Sequence, residues 1–201
     1  MERKQGSLGI HGEKDGEKMT EVGYKYLKTY QLSMVIFDLT VEFCSTYLKG
    51  YEYRRTVEQM IQAGRSFKQN IAEGYLEKSL KSYIKLLGVS NASLEELMED
   101  FRDFLRQRGL QIWGKDDPRV RVFREFRVFW DFQKSPSSPN TPILPSVPEE
   151  AANLILTLGH QDSFMLSKQI TSLEEKFVQE GGYSEKLFGK RLKFRSRGEN
   201  V

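Results

Sequence analysis

The side chains in this sequence that are best suited to bind a ligand are cations, and they are concentrated in two separate stretches. The chain as a whole has 31 Lys and Arg against 28 Asp and Glu, a net charge of only +3. Between Arg106 and Trp130, however, there are seven basic residues and three acidic residues. Between Ser184 and Val201 there are six basic residues and two acidic residues. Such local excesses attract phosphate groups and predict a nucleic-acid-binding surface. Solvated charge on exposed helices is the alternative interpretation.

The candidate contacts come from both stretches and from one earlier helix. They are Arg119, Arg121, Arg124 and Arg127 in the first stretch, Lys190, Arg191, Lys193, Arg195 and Arg197 in the second, and Arg65 and Lys68 in the earlier helix. Three interleaved aromatic residues, Phe123, Phe126 and Phe194, could stack on unpaired bases or could instead be core residues.

Residues for catalysis or metal binding are scarce. The two histidines are His11 and His160, and the residue three before His160 is Thr157, so the Glu-x-x-His pairs of a di-iron bundle are missing. A single cysteine, Cys44, excludes a zinc finger and lies on an apolar stripe, which favours a core position over a nucleophile. Phosphate-binding glycine loops and G-x-S-x-G elbows are also missing. We therefore expect no enzyme, no metal and no cofactor.

Composition favours a soluble helical protein in a reducing, cytoplasmic setting. Of 201 residues, 38% are hydrophobic and 29% are charged, which is enough apolar material for a core. No apolar run approaches the roughly 20 residues that span a bilayer, and no apolar stretch follows the charged start of the chain. One cysteine rules out an intrachain disulfide framework.

Helical periodicity predicts four long helices that position these cations. Apolar residues recur every three or four positions from Tyr24 to Leu48, from Tyr53 to Tyr75, from Ser79 to Gln107, and from about Pro148 through Phe177 to Gly181. In the first helix the predicted inward stripe is Leu27, Tyr30, Met34, Phe37, Val41, Cys44 and Leu48. Gly64 in the second helix and the small residues 88–93 in the third predict close interhelix packing. The fold class is thus all-α, an antiparallel four-helix bundle.

An insertion and two tails complete the predicted organisation. Residues 1–20 are polar and predicted to be a disordered tail, residues 21–182 form the bundle, and residues 183–201 form a basic tail. Within the bundle, residues 110–148 are an insertion. Asp116-Asp117-Pro118 predicts the start of a short helix, followed by a proline-rich loop over 134–148. Val122, Phe126 and Phe129 or Trp130 lie on one face of this helix, and Arg121, Arg124 and Arg127 lie on another.

The second helix carries a more specific pattern, QAGRSFKQNIAEGY at 62–75. With Ser66 and the Asn70-Ile71-Ala72-Glu73-Gly74 run, it resembles the four-helix-bundle proteins encoded by intervening sequences in bacterial 23S rRNA genes. A small-residue stretch followed by Ser and Glu in the third helix, at 88–96, agrees. That family includes the accessory variability determinant of diversity-generating retroelements.

The resemblance implies a non-enzymatic homopentamer that binds RNA or DNA and docks a reverse transcriptase. It covers residues 24–108 well and the last helix loosely. The insertion and the appended basic segment are departures from the short family members, and they resemble a subgroup with a four-helix-bundle suffix domain. From the residues themselves, Ser66, Asn70 and Glu73 share one helix face and favour a structural role, with Gly74 as the helix C-cap. The alternative function is a homo-oligomeric protein-interaction scaffold that binds no nucleic acid.

Overall fold

The computed structural model describes residues 23–125 and 142–198, apart from the side chains of residues 197 and 198. The helices in this part of the chain are α1 (Lys28–Tyr47), α2 (Arg54–Leu76), α3 (Leu80–Gln107), α4 (Pro118–Arg124), α5 (Pro148–Glu180) and α6 (Tyr183–Gly198). Single 3₁₀ turns at Tyr24–Tyr26 and Tyr51–Tyr53 precede α1 and α2. The described residues contain no strand, so the all-α prediction is confirmed.

The four long helices form an antiparallel bundle in which each packs on two neighbours. α1 and α3 both contact α2 and α5, while α2 and α5 lie diagonally opposite each other. Gly109 and Gly181 follow α3 and α5 with φ of 64° and 73°. Only glycine adopts this left-handed conformation cheaply, so both predicted helix ends are where the sequence places them.

Aromatic rings fill the centre of the bundle. Phe43 of α1 lies edge-on to Phe101 and Phe104 of α3, with ring centroids 4.9 and 4.8 Å apart. Phe67 of α2 is fully buried in the same core. Helical spacing in the sequence predicts two further inward stripes, and the structure buries most of each. They are Val57, Met60, Gly64, Phe67, Ile71 and Gly74 in α2, and Tyr83, Leu86 or Leu87, Ser90, Leu94, Leu97, Phe101 and Phe104 in α3. Burial of these rings supplies much of the stability of the fold.

The stripe predicted for α1 is largely wrong. Val41 is 39% exposed, and the fully buried apolar residues are instead Leu32, Val35, Ile36, Leu39 and Phe43. Two hydroxyl groups on this face make its burial possible, since Ser33 donates to the Tyr30 carbonyl at 2.7 Å and Thr40 to the Ile36 carbonyl at 2.7 Å. Satisfied hydroxyls cost little when buried, so the better apolar face faces inward.

Two glycines of α2 allow its neighbours to approach closely. A Cβ on Gly64 would lie 3.2 Å from Cδ2 of Phe37, which is the close packing that the sequence predicts. The C-cap prediction for Gly74 is wrong, because α2 continues to Leu76 and Gly74 does not have a positive φ. A Cβ there would lie 2.8 Å from Cδ2 of Tyr83, so Gly74 provides the space for that ring.

One acidic side chain lies in the core without a partner. Asp162 of α5 has no exposed surface, and neither carboxylate oxygen has a hydrogen-bond partner among the described residues. Burial raises the pKa of Asp162 well above its ordinary value, because the charged form loses its hydration. Asp162 is therefore protonated in the folded protein at a pH where it is ionised in the unfolded chain.

Replacing Gly74 by alanine should destabilise the protein, whereas Gly88→Ala should stabilise it. Both sites lie inside helices, so both gain about 0.5–1 kcal/mol of helix propensity. Nothing lies within 4 Å of a Cβ on Gly88, but at Gly74 the Tyr83 ring is held by a 2.7 Å hydrogen bond from Gln169. The resulting overpacking should make the two free energies of unfolding differ by about 1–3 kcal/mol in urea titrations. Equal values would contradict the packing role of Gly74.

Asp162→Asn should stabilise the protein more at pH 8 than at pH 4. In the unfolded chain Asp162 ionises near its ordinary pKa, so the stability of the native protein falls as pH rises from about 4 towards the raised folded pKa. Each unit of elevation corresponds to about 1.4 kcal/mol, and the Asn variant lacks this dependence.

Urea unfolding of both proteins across this pH range measures the difference. Asp100, whose pKa is raised to about 6 by burial and by Glu96 and Asp103, contributes a slope of the same sign to both proteins and cancels. Parallel stability curves for the two proteins would mean that Asp162 is ionised in the fold.

Candidate nucleic-acid interface

The insertion folds onto the first half of α5. Residues 151–159 of α5 are all buried, which a bundle helix reaches only when its outer side is also covered. Asn153 attaches the covering segment. Its Oδ1 accepts from the Trp113 backbone N–H at 2.8 Å, and its Nδ2 donates to the Gln111 carbonyl at 2.9 Å. Glu149 adds a second attachment, accepting from the indole of Trp113 at 2.9 Å and the N–H of Gln111 at 3.1 Å.

The short helix α4 begins as predicted. Asp117 is its N-cap and accepts from the Arg119 backbone N–H at 2.9 Å. The same carboxylate binds the Arg119 guanidinium through two hydrogen bonds of 3.0 and 2.8 Å, which lower the pKa of Asp117. That guanidinium also lies 3.6 Å from the centre of the Trp113 ring. Arg119 therefore has its charge paired and its planar group engaged within the fold, which makes it the least available of the candidate cations.

Of the face predicted to carry Val122, Phe126 and Phe129 or Trp130, the structure describes Val122 alone, and a different side of α4 packs inward. Val120 is buried and Phe123 is half-buried, stacked on Trp113 with centroids 5.8 Å apart, whereas Val122 is 58% exposed. The reason is that the helix docks through the residues nearest its N-cap. Phe126, Arg127, Phe129 and Trp130 lie outside the described residues.

Among the described cations of the insertion, three are exposed and differ from Arg119 in having no ion pair. Lys115, Arg121 and Arg124 are exposed and form no ion pair among the described residues. The sequence prediction did not include Lys115 among the contacts. Its position beside α4 follows from the attachment of Trp113 to α5, which no spacing in the sequence reveals.

The second cationic stretch is helical. Residues 183–198, expected to be a basic tail, form α6, and Lys190, Arg191, Lys193 and Arg195 are exposed along it. None of these four forms an ion pair with a described residue, in contrast to Lys186, which pairs with Glu180 at 3.0 Å. Arg197 lies in the last turns of α6, and its side chain is outside the description.

The structure does not bring the described residues of the two stretches together. The insertion covers α5 up to about Gln161, and α6 begins after Glu180. At 1.5 Å per residue these points are about 28 Å apart along α5. Arg65 and Lys68 lie on α2, diagonally across the bundle, and the Lys68 amine already lies 4.3 Å from the centre of the Phe37 ring. Within one chain the candidate cations thus form separate surfaces.

The signature residues of α2 tie it to α3. Ser66 and Ser93 share a hydrogen bond of 2.9 Å, and Asn70 Nδ2 donates to the carbonyl and to Oγ of Ser66 at 2.8 and 3.1 Å. Ser90 of α3 donates to the Phe67 carbonyl at 2.8 Å. Glu73 is exposed and makes no bond to a described residue. Three of the four signature positions, including Gly74, therefore have a packing or hydrogen-bonding role inside the monomer.

Cys44 and His160 are the cysteine and the histidine in the described part of the chain. Cys44 is a core residue, and burial raises its thiol pKa to about 12, so it is not a thiolate at neutral pH. Burial and the charges of Arg102 and Arg124 lower the pKa of His160, against the opposing effect of Glu95. Within residues 23–125 and 142–198, His, Cys, Asp and Glu side chains do not group in threes as a metal site would require.

Comparison with known proteins agrees with the resemblance seen in the sequence. Residues 25–110, which include α1, α2 and α3, match the family model described as 23S rRNA-intervening sequence protein. The resemblance to this family is thus confirmed over these three helices, and the family name fits an accessory protein. No curated protein and no solved structure gives a significant match. Of the helices in the described part, none combines the length and apolarity that crossing a bilayer requires.

Asn153→Ala should release the insertion from α5. The variant loses three hydrogen bonds, including the 2.8 Å bond to the Glu149 carbonyl, and leaves the N–H of Trp113 buried without a partner. We expect a loss of about 2 kcal/mol in unfolding free energy and faster limited proteolysis within residues 110–125. Gln179→Ala, at an exposed amide of the same helix, is the control. Unchanged proteolysis would show that Asn153 does not attach the insertion.

Proposed function

We propose, from the family match over residues 25–110 and the exposed cations of α6, that the protein is a cytoplasmic, non-enzymatic accessory protein that binds RNA or DNA as a homo-oligomer. The resemblance to the accessory variability determinant extends the proposal to a pentamer that docks a reverse transcriptase. Binding would rest on phosphate contacts, so it would depend strongly on salt and little on sequence.

The observation that carries this proposal is the state of the cations on α6. Lys190, Arg191, Lys193 and Arg195 are exposed and unpaired among the described residues. A lysine or arginine that has no carboxylate partner keeps its charge available for a phosphate. The stretch has six basic residues and two acidic residues among 18. The like charges repel one another along the helix, and a bound phosphate would relieve this repulsion.

Exposed aromatic rings on the same helix support a single-stranded partner. Phe188 and Phe194 of α6 are 63% and 81% exposed. Phe194 lines a shallow groove with Leu187 and three of the cations, Lys190, Arg191 and Arg195. Proteins that bind single-stranded nucleic acid usually combine cations that contact the phosphate backbone with neighbouring aromatic rings that stack on the bases.

Oligomerisation would strengthen this surface. The net charge of one chain is only +3, which gives a weak overall field. In a closed ring each subunit presents the same helix, so four exposed cations become a repeated set around one axis. The exposed Glu73 of the signature is available for a subunit contact.

One observation favours the second function, a homo-oligomeric protein-interaction scaffold. Helix α6 exposes an unusual number of large apolar side chains to solvent, which is typical of a surface that binds a protein partner. They are Leu187, Phe188, Leu192 and Phe194. A basic amphipathic helix of this kind also suits the groove of an acidic protein partner.

Neutralising the four cations of α6 together, in Lys190→Gln, Arg191→Gln, Lys193→Gln and Arg195→Gln, should weaken RNA binding by about tenfold or more at low salt. The slope of log K against log salt should become shallower by about 0.7 for each phosphate that these side chains no longer neutralise. Fluorescence polarisation of single-stranded RNA and DNA across a salt series measures both quantities.

The matched control removes the same charge elsewhere. Arg55→Gln, Lys78→Gln, Lys81→Gln and Lys85→Gln change four exposed cations on and between α2 and α3. Light scattering reports the oligomeric state of each variant. If both variants lose the same amount of RNA affinity, the loss reflects net charge and not a binding site on α6. If the native protein binds neither RNA nor DNA, the proposed nucleic-acid function is wrong and the scaffold function is favoured.

A further inference from the structure

A cavity of about 520 Å³ lies between the insertion and α5. The insertion contributes Ile112, Trp113 and Val120 to its walls, and α5 contributes Leu156 and Phe164. Its volume falls within the range of about 300–1,000 Å³ that is typical of small-molecule sites. Cavities of this size with mostly apolar walls take the apolar body of a ligand and orient it with a few polar groups.

The walls of the cavity are fixed by the contacts that attach the insertion. Trp113 is held by hydrogen bonds to Asn153 and Glu149, and its ring is in contact with Phe123 and Arg119. Phe164 differs, since it is 64% exposed and lies at the edge of the space. The exposed Lys168 amine lies 5.6 Å from the centre of this ring, so a planar ligand that stacks on Phe164 would share the ring with this cation or displace it.

The polar groups at the cavity are of two kinds. Lys115 and Arg124 are cations without an ion-pair partner among the described residues. Gln161 offers an amide that is free of hydrogen bonds to any described residue, and His160 offers an imidazole beside it. Asn153 and Thr157 also line the space, but Asn153 holds the insertion and Thr157 donates to the Asn153 carbonyl at 2.7 Å. The free groups are thus suited to one anion and one polar ring edge.

We propose that this cavity receives the base of one unpaired nucleotide, with its phosphate on Lys115 and Arg124. The base would stack on Phe164 against the apolar walls, and Gln161 and His160 would hydrogen-bond to its edge. The inference rests on the proposed function for its source of nucleotides, an RNA or DNA strand. A free mononucleotide presents the same chemistry, and the experiment separates the two sources.

The strand measurement compares an oligonucleotide that carries bases with an abasic strand of equal length and equal phosphate content. Stacking of a base on an aromatic side chain should make the native protein bind the base-carrying strand about fivefold to a hundredfold more tightly. In a background that lacks the exposed α6 rings, Phe188→Ala with Phe194→Ala, the further change Phe164→Ala should remove most of the remaining preference and leave the affinity for the abasic strand unchanged, and a preference that survives this change would overturn the pocket. Tyr51→Ala, at an exposed ring on the first turn before α2, should keep the preference.

A second readout does not need a strand. In the Trp130→Phe background Trp113 is the sole tryptophan, and it lines the cavity. A mononucleotide should change its fluorescence in a saturable way, whereas ribose 5-phosphate, which has no base, should not. Gln161→Ala should weaken this response even if Phe164→Ala folds poorly.

The possible results separate the base pocket from the proposed nucleic-acid function. Equal, salt-dependent binding of base-carrying and abasic strands would overturn the base pocket while leaving nucleic-acid binding in place. A saturable mononucleotide response without any strand binding would support the pocket and overturn the nucleic-acid function. Absence of both responses would overturn both.

Discussion

The close packing of α2 on α3 is the contact on which the rest of the structure depends. Gly74 leaves space for the Tyr83 ring of α3, and the Ser66–Ser93 and Ser90–Phe67 hydrogen bonds fix the register of the two helices, while Gly64 leaves space for the Phe37 ring of α1. α3 then presents Phe101 to Phe43 of α1 and its remaining face to α5. Because small residues set the distance between α2 and α3, the larger side chains of the other two helices can close the core around them.

The second half of the architecture follows from the excess apolar surface of α5. Residues 151–159 are apolar or small on nearly every side, and a bundle buries only one side of a helix. The insertion covers the outer side and is held there by Asn153 and Glu149. The exposed cations of the insertion and the cavity beside them are consequences of this covering, since hydrophobic burial places Trp113 and α4, and these in turn place Lys115 and Arg124.

The buried polar groups differ in what they cost the fold, because some have hydrogen-bond partners among the described residues and Asp162 does not. Thr40 and Ser90 are satisfied by backbone carbonyls and cost the fold little. Asp162 has no such partner and lowers stability as pH rises, as the linkage between its raised folded pKa and its ordinary unfolded pKa requires. A buried acid without a partner is uncommon in native proteins, and here it lies three residues before Met165 and one turn before the buried Leu166.

The sequence by itself determined the four bundle helices and the start of α4, because apolar periodicity, glycine and the Asp117-Pro118 start signal act within a few residues; it did not reveal α6, which it predicted only as a basic tail. It also determined the inward stripes of α2 and α3, whose polar and apolar faces are distinct, and the signature of α2 that the family match confirms. It did not determine the stripe of α1, where SMVIF at 33–37 allows two apolar faces and only packing against α2 and α5 selects one. The candidate site depended on tertiary structure still more. Arg119 is a free cation in the sequence and a paired one beside Asp117 in the fold, and the cavity joins residues 112–124 to residues 153–164. Contacts between segments so distant along the chain follow from the burial of α5, which no local pattern of residues encodes.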